Sequence, residues 1–150
     1  MRGNSIALAG NIYPKGRDDK HLELRFSAGG TAFISFNLSC WSHKDKDNDD
    51  KNVYVSYSCV AFGDLAEHIA ESLEPGDSVL AFARIQANNW EDDDGNKRYD
   101  TQAIVDELGP TLRWGTVDVN RTERKSGGSG RSADSQPKAR DSYAPDEAPF

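Results

Sequence analysis

A small, mainly β domain carrying one helix, followed by a segment that does not fold, is the fold class this 150-residue sequence predicts. Three observations point there. Apolar residues recur with a period of two over four stretches before residue 115, the pattern of strands with one core face and one wet face. One stretch, 64–73, has the helical period instead. Beyond Trp114 large aliphatic side chains almost vanish, which accounts for a hydrophobic content of 36% and a mean hydropathy of -0.75.

The elements follow in order. Ile6, Leu8 and Ile12 alternate with Ser5, Ala7, Ala9 and Asn11, and a short extra strand is expected over Leu22–Phe26. Ala32, Ile34, Phe36, Leu38 and Cys40 alternate with Phe33, Ser35, Asn37, Ser39 and Trp41. Val53, Val55, Tyr57, Cys59 and Ala61 oppose Tyr54, Ser56, Ser58, Val60 and Phe62. Leu65, Ala66, Ile69, Ala70 and Leu73 then share one helical face, with Asp64 and Glu67 in capping-box spacing and Pro75-Gly76 as the stop. Val79, Ala81, Ala83, Ile85 and Ala87 oppose Leu80, Phe82, Arg84, Gln86, Asn88 and Trp90, and Asp94-Gly95 before Tyr99 marks a closing hairpin. Five strands with a helix between the third and fourth is the order of an OB fold, a five-stranded Greek-key barrel. A β-sandwich would not need a single helix at that point.

The domain organisation follows composition. Residues 1–115 form the barrel, 116–144 read as a disordered Gly/Ser-rich linker, and 145–150 form an acidic tip. The run Ser126 to Ser135 contains nothing that could bury enough apolar surface to offset its ordering entropy. Residues 116–150 carry six basic and six acidic side chains, so the whole formal charge of -7 falls within 1–115.

Several function classes drop out. No run of about 18 apolar residues could span a membrane, and Met1 to Ser5 leads straight into the alternating pattern, without the apolar run of a signal peptide. Two cysteines, Cys40 and Cys59, are too few for a disulfide framework and read as reduced core residues of neighbouring strands in a cytoplasmic protein. His21, His43 and His68 lack zinc-ligand spacing, and no nucleophile elbow, P-loop or dinucleotide fingerprint occurs. Asp45, Asp47 and Asp49 imitate the start of a calcium loop, but Asp50 stands where glycine is needed and Ser56 where a bidentate Glu belongs. No enzyme, metal or cofactor is therefore expected. The acids at 45–50 and 91–94 read as solvated hairpin tips that keep strand ends from pairing with other chains.

The wet faces carry the functional signal. Trp41, Tyr54, Phe62 and Trp90 face outward among Ser35, Asn37, Ser58, Arg84, Gln86 and Asn88. Exposed rings on a polar face call for a cover. A nucleobase stacked on such a ring contributes roughly 1–3 kcal/mol whatever its identity, because every base has a π-face. Arg84, Arg25, Lys97 and Arg98 could meet phosphates. Packing of the rings under loops or at a subunit interface is the competing account from period and composition alone.

The sequence resembles the bacterial-type single-stranded DNA-binding proteins. Asn4 to Asn11 is similar to the family's opening strand, and Leu22 to Phe26 before Gly29-Gly30 to the segment after it. Phe62-Gly63-Asp64-Leu65-Ala66-Glu67 leading to Ser72-Leu73-Glu74-Pro75-Gly76 continues the likeness. Arg84-Ile85 through Trp90, then Asp94 to Tyr99, resembles the last long hairpin. The likeness runs in order over about 1–114. It implies an OB fold, a homotetramer, and sequence-independent binding of single-stranded DNA over stacking aromatics, in a bacterial cell or a phage-infected host. Phe62 and Trp90 fall on family stacking positions. Trp41 lies two residues before another, which His43 occupies, and Tyr54 lies two before a fourth, occupied by Ser56. Arg84 is kept, whereas Gln86 and Asn88 replace usual bases, so fewer phosphate contacts and a shallower salt dependence are expected. The tip Pro145 to Phe150 resembles the family's partner-docking end, with Asp146, Glu147, Pro149 and Phe150 as its contacts to proteins of replication, recombination and repair; only two adjacent acids remain, and Ala148 replaces a larger aliphatic. An OB-fold RNA-binding module or a replication-restart accessory protein is the alternative from the same fold.

Overall fold

The computed structural model describes residues 3–123. Chain contacts divide at Asp118: the described residues up to there form one compact unit, and the remainder is counted apart from it. Most of the linker expected at 116–144 and all of 145–150, with Asp146, Glu147, Pro149 and Phe150, lie outside the described residues.

The compact unit runs β1 (Ser5–Pro14), β2 (Leu24–Phe26), β3 (Ala32–Lys44), β4 (Asn52–Phe62), α1 (Gly63–Ser72), β5 (Ser78–Glu91) and β6 (Lys97–Pro110). β1 pairs with β3 and with β5, β5 with β6, β6 with β4, and β4 with β3, so five strands close into a ring while β2 adds to β3. Every pairing is antiparallel except β4–β6, whose partners are Cys59 with Ala103 and Val60 with Ile104. This is the OB barrel that the element order predicts, and closure leaves few unpaired edges.

β1 serves two neighbours because it bends between them. Ser5–Asn11 pairs with β5, and Asn11–Pro14 pairs with β3. Gly10 sits at the corner, where an added Cβ would lie 2.5 Å from the Ser39 carbonyl oxygen and 2.9 Å from Cys40 Sγ. Only a residue without a side chain lets the backbones come that close.

The core fills the ring. On β3 burial alternates without a slip from Ala32 to Cys40, as the sequence period requires, and Ile12, Ile34, Phe36, Leu38, Cys59 and Val79 are its largest fully buried members. Ala66, Ile69 and Leu73 of α1 join the same cluster. Both cysteines are buried and free, and burial pushes their thiols up, that of Cys59 to about 12.

Several local expectations give way. β2 begins at Leu24 rather than Leu22. The capping box does not form: Phe62, still extended, is the N-cap, no side chain caps the helix, and Gly63 makes the strand-to-helix turn at φ 64. The helix thus begins one residue before Asp64, which remains in the first turn where its charge favours the dipole. Val60, expected on the wet face, is 4% exposed because β6 lies alongside it with Ile104 as its partner. Val55 and Ala87, expected in the core, are exposed because the ends of β3–β4 and β5–β6 run past the barrel.

Candidate nucleic-acid interface

Cross-strand register, rather than strand period alone, assembles the outer face. Along β3 and β4 the opposed pairs are Phe33–Phe62, Ser35–Val60, Asn37–Ser58, Ser39–Ser56 and Trp41–Tyr54. Rings therefore stand at both ends of the pair of strands, with Ser and Asn side chains and the buried Val60 between them. Tyr54 and Phe62 are eight residues apart on one strand face, roughly 26 Å at ~3.3 Å per residue. Several nucleotides can lie over that span.

The four rings are open to solvent: Trp41 is 59% exposed, Tyr54 53%, Phe62 50% and Trp90 46%. Two of them are also held in place, Phe62 and Trp41. Phe62 packs against Phe33 with centroids 6.4 Å apart. The Trp41 indole Nε1–H donates to Asn52 Oδ1 at 3.3 Å. Trp90 lies opposite Arg98 in the β5–β6 ladder. A partly immobilised ring loses less entropy when a base stacks on it.

A bulge removes His43 from this row. Trp41 pairs with Tyr54 but His43 pairs with Val53, leaving Ser42 as the extra residue. By register His43 sides with Val53, on the face away from Tyr54. Its ring nitrogen Nδ1 meets Ser42 Oγ at 2.9 Å.

The cations are placed at the rings. Arg25 on β2 opposes Phe33, so Arg25, Phe33 and Phe62 form one row across three strands. Beside it, a concavity of about 360 Å³ is lined in part by Lys15, His21, Arg25 and Ser35. Arg84 opposes Ile104, and from it Gln86, Asn88 and Trp90 continue outward along β5, opposite Gln102, Asp100 and Arg98. Lys97 pairs with Glu91 at the last rung before the tip.

Each arginine is already matched by a carboxylate. Arg25 Nη2 lies 3.0 Å from Glu23 Oε2, both strongly exposed. Arg98 Nε lies 2.9 Å from Asp92 Oδ2. Arg84 makes a two-pronged pair with Asp106, Nε to Oδ2 at 2.8 Å and Nη2 to Oδ1 at 2.9 Å. The hydrogen bonds that Arg84 donates to Asp106, and then the charge of that carboxylate, raise the Arg84 pKa above the ordinary guanidinium value.

Asp92 also organises the hairpin tip. Its Oδ1 accepts the backbone N–H groups of Asp94 and Asn96, while Gly95 turns at φ 79. The Asn96 backbone bond, more than the Arg98 contact, depresses the Asp92 carboxyl. At the other tip the Asp47 N–H donates to Asp45 Oδ1, and Lys44 Nζ donates to the Asp49 carbonyl. These acids thus shape the turns besides being solvated. The signal was present, since Asp and Asn favour such side-chain-to-backbone turns. Phe33, Asn52 and Asp106 were not singled out from the sequence, because each matters through a cross-strand neighbour. Among the described residues no group of three or more His, Cys, Asp or Glu side chains is arranged to hold a metal ion, and no helix is long and apolar enough to cross a membrane.

Comparison with known proteins agrees with this geometry. The model of the single-strand binding protein family matches residues 4–111. A single-stranded DNA-binding protein of Bifidobacterium longum is 34% identical over 115 residues, covering 73% of this chain and 52% of its own length. Those of Paenarthrobacter aurescens and Mycobacterium leprae are 32% and 33% identical, covering 69% and 70% of this chain and 63% and 64% of their own lengths. The chain thus spans between half and two thirds of these relatives.

Proposed function

This chain belongs to the single-strand binding protein family, and from that membership we infer that it binds single-stranded DNA without sequence preference, as a binding protein and not an enzyme. The observation that carries the reading is the row of exposed rings, Trp41 and Tyr54 at one end of β3–β4 and Phe62 at the other, separated by Ser, Asn and Val60. Bases stack on the rings, and the backbone crosses small side chains that offer hydrogen bonds but no base-edge code. Trp90 extends the track along β5, and Arg25, Arg84, Lys97 and Arg98 face the phosphates. Duplex DNA keeps its bases stacked inside and gains nothing from the rings.

The decisive experiment is titration of intrinsic Trp fluorescence with poly-dT. Quenching that saturates, absent with duplex of equal length and leaving the oligonucleotide uncut in magnesium, is the expected result. A flat titration rejects the reading.

We extend the proposal to assembly and role. Ala7 and Ala9 of β1 oppose Phe82 and Leu80 of β5, and all four are exposed, an apolar patch suited to a second copy. That supports a homotetramer, which sedimentation would test: a monomer at micromolar concentration rejects it. The role is coating of single strands in the cytoplasm during replication, recombination and repair, with Asp146, Glu147, Pro149 and Phe150 recruiting partner proteins. Deleting 145–150 should abolish partner pull-down and leave DNA binding intact; unchanged pull-down rules the tip out.

A further inference from the structure

A register slip in the closing hairpin places one acid against Arg84. In β5–β6 Ala83 pairs with Val105 but Phe82 pairs with Glu107, so Asp106 is the extra residue of a bulge. Such bulges bend a strand and re-aim a side chain. Here the re-aimed side chain meets Arg84. Both of its carboxylate oxygens engage the guanidinium, in the fork geometry that an arginine also uses for phosphate.

The pair is open to a competitor. The Arg84 side chain is 34% exposed and that of Asp106 48%, and Arg84 shares its strand face with Gln86, Asn88 and Trp90. The other two arginine pairs differ. The Asp92 carboxylate also accepts the tip's backbone N–H groups, so it is part of the turn. Glu23 touches Arg25 through one oxygen, two residues away on the chain, between strongly exposed side chains, and such contacts are weak. Arg84–Asp106 is the two-pronged pair and spans strands.

We propose that Asp106 is an intramolecular stand-in for phosphate that holds Arg84 in competition with the nucleotide strand, and so sets both the affinity for single-stranded DNA and its salt dependence. The inference rests on the single-strand-binding reading. Its physical content is local charge: an arginine bound to a carboxylate brings no net positive charge to the strand, so the phosphate above it keeps its condensed counterion. An arginine released from that partner neutralises the phosphate and frees the counterion. Each phosphate neutralised on a single strand steepens log K against log salt by about 0.7.

The test compares wild type, D106N, R84Q and the R84Q/D106N double variant, titrating a labelled oligo-dT by anisotropy at several salt concentrations. D106N should bind more tightly, with a slope steeper by about 0.7, so its advantage grows roughly fivefold for each tenfold fall in salt. D106E, which keeps the carboxylate, should retain the shallow wild-type slope. In the R84Q background the change at 106 should do nothing. Unaltered affinity and slope in D106N overturn the proposal, as does weaker binding, which would mean that Asp106 pre-orients Arg84 for the strand. An equal gain in the R84Q background also overturns it, since the effect would then be general repulsion. Failure of wild type to bind oligo-dT is a separate result, and it rejects the functional reading instead.

Discussion

The barrel body and the two hairpin ends that run past it obey different rules although the same strands build both. Within the body, alternation means burial: on β3 every second residue from Ala32 to Cys40 is buried. Past the body the same strand continues as Trp41 to Lys44, and all four residues are exposed. β4 behaves alike at Asn52 to Ser56, where only Val53 is half-buried, and β5 from Gln86 outward. Strand period therefore reports a core only where a second layer closes over it. Where none does, apolar and aromatic residues are left for something outside the protein to cover. Stability resides in the first region, and the proposed binding draws on Trp41, Tyr54 and Trp90 in the second.

The largest effect that would break this division comes from the body. Phe36 is fully buried, and Phe36→Ala should cost about 3–5 kcal/mol of unfolding free energy through lost transfer energy and the cavity left behind. Urea denaturation reads it directly. A loss near zero would mean that the core is not where the alternation places it.

Next in size is Trp90→Ala on the projecting hairpin. Stability should stay within about 0.5 kcal/mol, because the ring is half exposed and far along the arm. Affinity for oligo-dT should fall by roughly 1–3 kcal/mol, the worth of one stacked base. A variant that unfolds without weakened binding would reverse the assignment of roles.

The smallest effect sharpens the comparison at the tip. The Asp92 carboxyl is depressed chiefly by the Asn96 backbone N–H. A group whose folded pKa lies below its unfolded value stabilises the fold above the unfolded value, here 3.8, and the contribution disappears as pH falls through the depressed value. Acidification below 3.8 should therefore raise hydrogen exchange at the Asp94 and Asn96 amides before the core amides of β3 respond. Simultaneous loss would show that tip and barrel open as one unit.

Much of the molecule was readable along the chain. Four alternating runs, one helical run and the Gly- and Pro-bearing breaks between them were enough for the barrel, since each depends on residues a few places apart. The rings were readable for the same reason, being apolar side chains in the polar half of an alternation. Less readable was the helix start, because Phe62 and Gly63 carry the strand straight into α1 and take the capping place that Asp64 was expected to fill. Val60 was misplaced because its cover comes from Ile104, more than forty residues on.

By itself, then, the amino-acid order determined which side chains of the barrel body lie inward, Val60 excepted, which rings lie outward and where the backbone turns. Tertiary structure alone decided who meets whom across the ladder. One extra residue between Trp41 and His43 turns the histidine away from the ring row, and one between Val105 and Glu107 brings Asp106 onto Arg84. The physical reason is that alternation is a property of one strand, whereas a bulge exists only between two. Register is settled by the pairing of distant segments, and no local period records it.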